Sequence, residues 1–190
     1  DVVARLQMKV APGVSAEQLA DEALKGVSLE PSAEIELLGY ASQEGGWRAT
    51  LDRRWILISE KKELTVLRMV DEGKYLAQGS VSALTSGKDK PVSLSDFQDE
   101  VRQALGKNFR QFVRAGQSLS EAEHQVYRVE AQGEVSGVPM DWIYYRLADK
   151  LGRSMVVLFT VESKLAESFG EKDRDLVHAI RFADPKVAAK

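Results

Sequence analysis

Leu6, Met8 and Val10 alternate with Gln7 and Lys9, the two-residue period of a half-buried strand, and Pro12-Gly13 ends it. A short helix is expected next. Ser15 with Gln18 forms a capping box, Val14 can staple onto Leu19, and Gly26 stops the helix after Leu24. This strand and helix form an N-terminal extension over 1–33, with the segment around Pro31 as the connector into a main domain over 34–184. From Glu34 the pattern turns to strands at 35–40, 47–51, 55–59, 64–70 and 75–84. Glu44-Gly45-Gly46, Lys61-Lys62 and Asp71-Glu72-Gly73 punctuate them as tight turns, so the segment reads as a meander.

A polar break over 85–91 precedes an amphipathic helix. Leu94, Phe97, Val101, Ala104 and Leu105 recur at three- and four-residue spacing, while Asp96, Asp99, Glu100 and Arg102 fill the other face. Phe109, Phe112 and Val113 either extend this helix past Gly106 or start a second one. Three consecutive antiparallel strands follow at 125–135, 138–148 and 153–161, joined by a two-residue turn at Ser136-Gly137 and a longer one over 149–152. A closing helical stretch runs over about 163–180, broken around Gly170, with Leu176, Val177 and Ile180 on one side. The tail over 185–190, rich in Ala and Lys, is expected to fray.

The strands also show how many layers there are. Met155-Val156-Val157-Leu158-Phe159 is apolar on both faces, and Trp142, Ile143, Tyr144, Tyr145 and Leu147 point large groups both ways. A sheet with one wet face would alternate with polar residues instead. The fold class is therefore α+β, an antiparallel sheet flanked by helices on both faces as an α-β-α sandwich.

Composition narrows the function classes. With 190 residues, 44% apolar and 29% charged, the chain can bury a core as a single domain with a small extension. A net charge of −3 supplies no global positive field for phosphate backbones, which argues against nucleic acid as a partner. The absence of cysteine removes disulfides and thiolate chemistry together and leaves the compartment undecided. The longest apolar run, 155–159, is far too short to span a bilayer. The start at Asp1 rather than Met reads as a removed leader or a trimmed start, and sets the expectation of an exported, periplasmic or otherwise extracytoplasmic protein.

Candidate chemistry is sparse. Of the two histidines, His124 opens a strand and His178 lies on the last helix. Glu121, Glu123 and His124 could supply metal ligands, but a charged loop is more simply a solvated one. Acidic groups occur at Asp71 with Glu72, at Glu134 with Asp141 across a hairpin, and at Glu171, Asp173 and Asp175. Acid–base catalysis needs two carboxylates in unlike environments inside a cleft, whereas turn chemistry accounts for the first pair and surface solvation for the last group. There is no nucleophile elbow, phosphate loop or dinucleotide fingerprint, and Gly133-Glu134-Val135-Ser136-Gly137 is turn punctuation. Arg53-Arg54 and the group Arg102, Lys107, Arg110 and Arg114, on or near one helix and interleaved with Glu100 and Gln103, read as solvated mixed faces. No catalytic, cofactor-binding or metal residue is assigned. Among the aromatics, Trp47, Trp55, Trp142 and Tyr144 are the candidate interaction surface, with Tyr145 on the opposite strand face; packing in the core is the competing account of the same rings.

The order of elements from Trp47 onward resembles the fold shared by PsbP-type extrinsic photosystem subunits, Ran-binding Mog-type import factors and bacterial DcrB-like envelope proteins. The likeness is carried by the paired strands through Leu84, the helix to Leu105, Trp142-Ile143-Tyr144-Tyr145-Arg146, Gly152-Arg153, Val157-Leu158-Phe159-Thr160 and Leu176-Val177-His178-Ala179-Ile180-Arg181-Phe182, over about 35–183. It implies a PsbP-like sandwich and a non-enzymatic binding or assembly role with an unknown protein partner, and it brings no catalytic residues. The alternative is a small-ligand binder with an aromatic-lined pocket between sheet and helices; a hydrolase or metal enzyme built on Glu134, Asp141, Asp173 and Asp175 ranks third.

Overall fold

The computed structural model describes residues 37–42, 44–86 and 92–183, all within the unit 36–190. The expected N-terminal strand and helix over 1–33 and the tail over 185–190 lie outside the described residues. The elements are β1 (Leu37–Ser42), β2 (Trp47–Asp52), β3 (Trp55–Lys61), β4 (Leu64–Asp71), β5 (Lys74–Ser82), β6 (Thr85–Ser86), α1 (Leu94–Leu105), β7 (Phe109–Leu119), β8 (Gln125–Val135), β9 (Val138–Ala148), β10 (Arg153–Glu162), α2 (Ala166–Phe169), α3 (Lys172–Ala179) and β11 (Arg181–Phe182). Short 3₁₀ turns at Gly106–Asn108 and Ser163–Leu165 lead into β7 and α2.

The main sheet is antiparallel in the order β3-β4-β5-β10-β9-β8-β7, with β6 extending the β5 edge along β10. A small sheet, β1-β2-β11, closes the domain by pairing Arg181 with Arg48 and Phe182 with Trp47. The α+β sandwich expected from the sequence is present, and strand alternation divides its core in two. On the first face Tyr127, Val129, Ala131, Trp142 and Tyr144 meet Phe97, Val101 and Leu105 of α1. On the second, Leu67, Met69, Val81, Tyr145, Leu147, Val157 and Phe159 meet Trp47 and Leu51 of the small sheet, Phe169 of α2, and Leu176 and Val177 of α3.

α1 begins where its sequence says it should. The Ser93 hydroxyl accepts from the Asp96 N–H at 3.1 Å, and the Asp96 carboxylate accepts from the Ser93 N–H at 3.0 Å, a reciprocal capping box. The Ser93 hydroxyl also donates to the Asp96 carboxylate at 2.6 Å, and this bond, with that from the Ser93 N–H, holds the Asp96 carboxyl below its usual range.

The expectation of more helix after Gly106 is corrected. Gly106 adopts a φ of +53° and ends α1, and Phe109, Phe112 and Val113 belong to strand β7. Their helix-like spacing comes from two register shifts against β8, between Phe109 and Gln111 and between Phe112 and Arg114. Each shift resets the alternation, so Phe109 and Phe112 emerge on the α1 side together. There Arg102 lies over both rings, at 5.7 and 5.2 Å. Arg110 and Arg114, expected on or near the helix, are strand residues. The entry to β7 also needs Gly133, because a Cβ there would stand 1.8 Å from the Asn108 carbonyl oxygen. The long central strands match their expected bounds, and β7 joins them as a fourth member of the run.

Candidate functional site

The two covering layers do not lie back to back. α1 rests on β7, β8 and β9 of the first face, whereas the small sheet, α2 and α3 cover β3, β4, β5, β10 and β9 of the second. Two diagonally opposite quarters of the sheet are therefore without a helix among the described residues, and each has its own chemistry.

The quarter on the second face is polar. Register places Arg114 beside Glu130, Gly116 beside Arg128 and Ser118 beside Val126, all pointing to the side of Tyr145 and Ile143 on β9. α3 forms the wall. Its Asp173 is 1% exposed, and one carboxylate oxygen, Oδ2, accepts from Arg128 Nη2 at 2.8 Å, Arg128 Nε at 3.1 Å and the Tyr145 hydroxyl at 2.5 Å. Arg128 also donates to the Tyr145 hydroxyl and, through Nη1, to Glu130. Burial by itself would lower the Arg128 guanidinium; Tyr145 and Asp173 outweigh it and hold its pKa above the ordinary value. Burial pushes the Tyr145 phenol well up, and the Asp173 carboxylate adds to that, so its proton stays on the hydroxyl that donates to Asp173. The second Asp173 oxygen, Oδ1, has no partner among the described residues.

Asp173 corrects the expectation of a surface-solvated carboxylate. Nothing in its helix pattern marks it as interior. The available signal was on β8, where Arg128 and Glu130 occupy positions that alternate with Tyr127, Val129 and Ala131 in a sheet expected to be covered on both faces. Beside this network lies a cavity of about 390 Å³, lined by Arg114, Gly116, Ser118, Arg128, Arg174 and His178 among others, with no carboxylate among the described residues of its wall. A smaller cavity of about 180 Å³ continues past Arg128 toward Glu130, Asp141, Trp142 and Phe169.

The quarter on the first face is apolar. Ile56 and Ile58 of the edge strand β3 are 48% and 47% exposed, joined by Leu64 of β4 and Tyr75 of β5, while Leu57 between them, 45% exposed, stands opposite Leu67 and so belongs to the second face of the same edge. Arg68 lies 5.6 Å over the Tyr75 ring. A register shift between Leu57 and Ser59 marks a bulge in this edge.

Of the two accounts the sequence offers for its large aromatics, contact surface or core, burial favours the core. Trp47, Trp55, Trp142 and Tyr144 are 1%, 5%, 5% and 9% exposed. Trp55 packs its ring 5.8 Å from Phe159 and 6.3 Å from Phe169, Trp47 lies 5.1 Å from Tyr40, and Trp142 and Tyr144 pack under α1. Their strand positions face the covering layers, which is why they are interior. The rings fill the space between sheet and helices, and the cavity that Trp142 borders is smaller than the ~300 Å³ at which ligand clefts begin.

The other sequence candidates are kept apart. Glu134 pairs with Arg110 and stands opposite Pro139, not Asp141, whose carboxylate accepts from the Ser163 hydroxyl at 2.8 Å. Glu121 meets Arg181 at 3.4 Å and Glu123 meets Lys150 at 2.5 Å, while His124 stacks on Phe182 at 4.0 Å. Among the described residues no group of three potential ligands comes together for a metal ion. Arg54 is held by Asp52 and Asp71, at 2.6 and 3.2 Å.

No protein-family model matches the chain, and no curated protein does. Solved structures do. The cyanobacterial PsbP (CyanoP) of Synechocystis sp. PCC 6803 superposes with a TM-score of 0.59 at 13% identity, covering 83% of this chain and 99% of that one. The Ran-binding protein Mog1p of Saccharomyces cerevisiae gives 0.58 at 10% identity, over 81% and 99%. LpqN, involved in cell envelope biogenesis of Mycobacterium tuberculosis, gives 0.51 at 9% identity, over 92% and 100%. At such identities the likeness is one of architecture, and the fold of this chain is the PsbP/Mog1-like α+β fold.

Proposed function

We propose that the domain is a non-enzymatic binding or assembly module for another protein, engaged through the apolar quarter at β3. The observation that carries this is the run Ile56, Leu57 and Ile58, three consecutive aliphatic residues exposed on an edge strand, with Leu64 and Tyr75 exposed on the neighbouring strands β4 and β5. An edge strand presents unpaired backbone groups, and one that is apolar as well is a template for another chain. Dispersal of Glu134, Asp141, Asp173 and Asp175 over separate partners supports binding rather than catalysis. The roles of similar structures, Ran binding for Mog1p and cell envelope biogenesis for LpqN, are in keeping with a binding function.

The same proposal puts the protein in a bacterial cell envelope, outside the cytoplasm, supported by the likeness to LpqN. No helix among the described residues is long and apolar enough to cross a membrane. A photo-cross-linking residue at Leu57 should yield a discrete protein adduct in cells, and the same residue at Lys107 should not. Equal adducts from both positions, or none from Leu57, would overturn the assignment, and cell fractionation tests the location.

A further inference from the structure

The polar quarter carries a second recognition site, distinct in chemistry from the β3 edge. β7 is the other edge of the main sheet. Its irregularities end at Arg114; from Arg114 to Leu119 the register against β8 is unbroken. Six residues of regular strand, about 20 Å long, thus keep one side of their backbone unpaired among the described residues.

Directly beside this edge is the 390 Å³ cavity, whose lining includes Arg114, Arg128, Arg174 and His178 and, among the described residues, no acidic side chain. That is unusual for a chain of net charge −3. Arg114 makes no ion pair among the described residues. It stands diagonally across the strand pair from Arg128, a separation of roughly 7–8 Å. Arg128 is held in place by Asp173, Tyr145 and Glu130, so its guanidinium is pre-positioned. Arg174 follows Asp173 in α3 and is therefore positioned by the same anchor; its ion pair is with Glu171, which does not line the cavity.

We infer that an extended acidic segment of a protein partner adds to the free edge of β7 over Arg114–Leu119, with its carboxylates turned into the cavity toward Arg114, Arg128 and Arg174. Backbone pairing supplies the affinity, and charge on alternate side chains supplies the selection. The inference rests on the reading of the domain as a protein-binding module and names the chemistry of one partner segment.

The test uses the full chain and a fluorescent peptide of about ten residues alternating Glu with Val, against the same peptide with Lys for Glu. The acidic peptide should bind with an affinity that falls as salt rises, and the lysine peptide should not. Arg114→Gln and Arg174→Gln should each weaken binding roughly tenfold, while Arg48→Gln, on β2, should leave it unchanged. Amide exchange should slow on binding within 114–119. Far-UV circular dichroism checks that the variants fold, and the charge-reversed peptide needs no variant at all.

Equal binding of both peptides, indifference to Arg114→Gln and Arg174→Gln, or no binding would overturn the inference. Displacement of the peptide by inorganic phosphate or glutarate without exchange protection in β7 would make this a small-anion site and overturn it too. If these results fail while cross-linking at Leu57 persists, the binding module stands and only the acidic segment is wrong; loss of both ends both.

Discussion

Asp173 shows how much one side chain can decide. A carboxylate 1% exposed survives in the interior because three donors converge on one of its oxygens. Asp173→Ala would leave Arg128 half-buried and without its main counter-charge, and should destabilise the fold by about 3–5 kcal/mol. Replacing both partners, as Arg128→Met with Asp173→Leu, should recover most of that loss, since a matched apolar pair costs less than an orphaned charge. Urea unfolding of the single and double variants measures both.

His124 makes the complementary case for pH. It is buried, with Nδ1 unpartnered among the described residues and its ring stacked on Phe182. Burial lowers its pKa, Asp149 opposes this, and Arg181 and Arg153 reinforce it. The unfolded chain therefore takes up the proton first as pH falls. Stability should be full above pH ~6.5 and decline as the pH drops toward the depressed folded value. Unfolding midpoints of the parent chain should slope downward between about pH 7 and 5, and His124→Gln should flatten that slope. Neither Asp173 nor His124 was legible as a buried group in the sequence, because burial of a polar residue is decided by the layer packed on it and not by its neighbours in the chain.

At the scale of elements, legibility followed regularity. α1 was readable from Phe97, Val101 and Leu105 together with the Ser93 cap, and β8, β9 and β10 from their alternation and turns, since period and punctuation agreed in each. β7 was not. Its two register shifts place Phe109 and Phe112 at a helical interval on one side, so the local pattern argued for the wrong element. Gly133, the residue that admits the chain into β7, lies two dozen positions downstream and carries no local signal. Gly133→Ala should force the 106–108 turn off β8 and cost more than about 3 kcal/mol, with faster amide exchange throughout α1. Gly116→Ala, where an added Cβ meets nothing within 4 Å, should change stability by less than about 1 kcal/mol.

For the whole molecule, the informative feature is the diagonal placing of its covers. The sequence showed that both faces of the central strands are apolar; it did not show that α1 and the α2–α3 layer are offset, leaving an apolar quarter at one edge and a basic one at the other. The Trp and Tyr residues singled out as a contact surface are large enough to fill the covered quarters, and the open ones are lined by smaller aliphatic and charged side chains. Converting Ile56 and Ile58 together to Lys should leave the urea midpoint almost unchanged, within about 1 kcal/mol. It should also abolish the Leu57 adduct and lower any tendency to aggregate, read by light scattering.

The small closing sheet has a consequence for the time course of folding. β8, β9 and β10 can zip up from neighbouring turns, but docking β10 on β5 brings together residues such as Val156, whose N–H donates to the Ser82 hydroxyl, 74 positions apart. β11 then returns to β2, near the beginning of the described chain. Such long loop closures are slow. A chain emerging from the ribosome cannot seat Trp47 against Phe182 until β11 has been made, so the domain should remain open, and available to chaperones, until synthesis has passed β11.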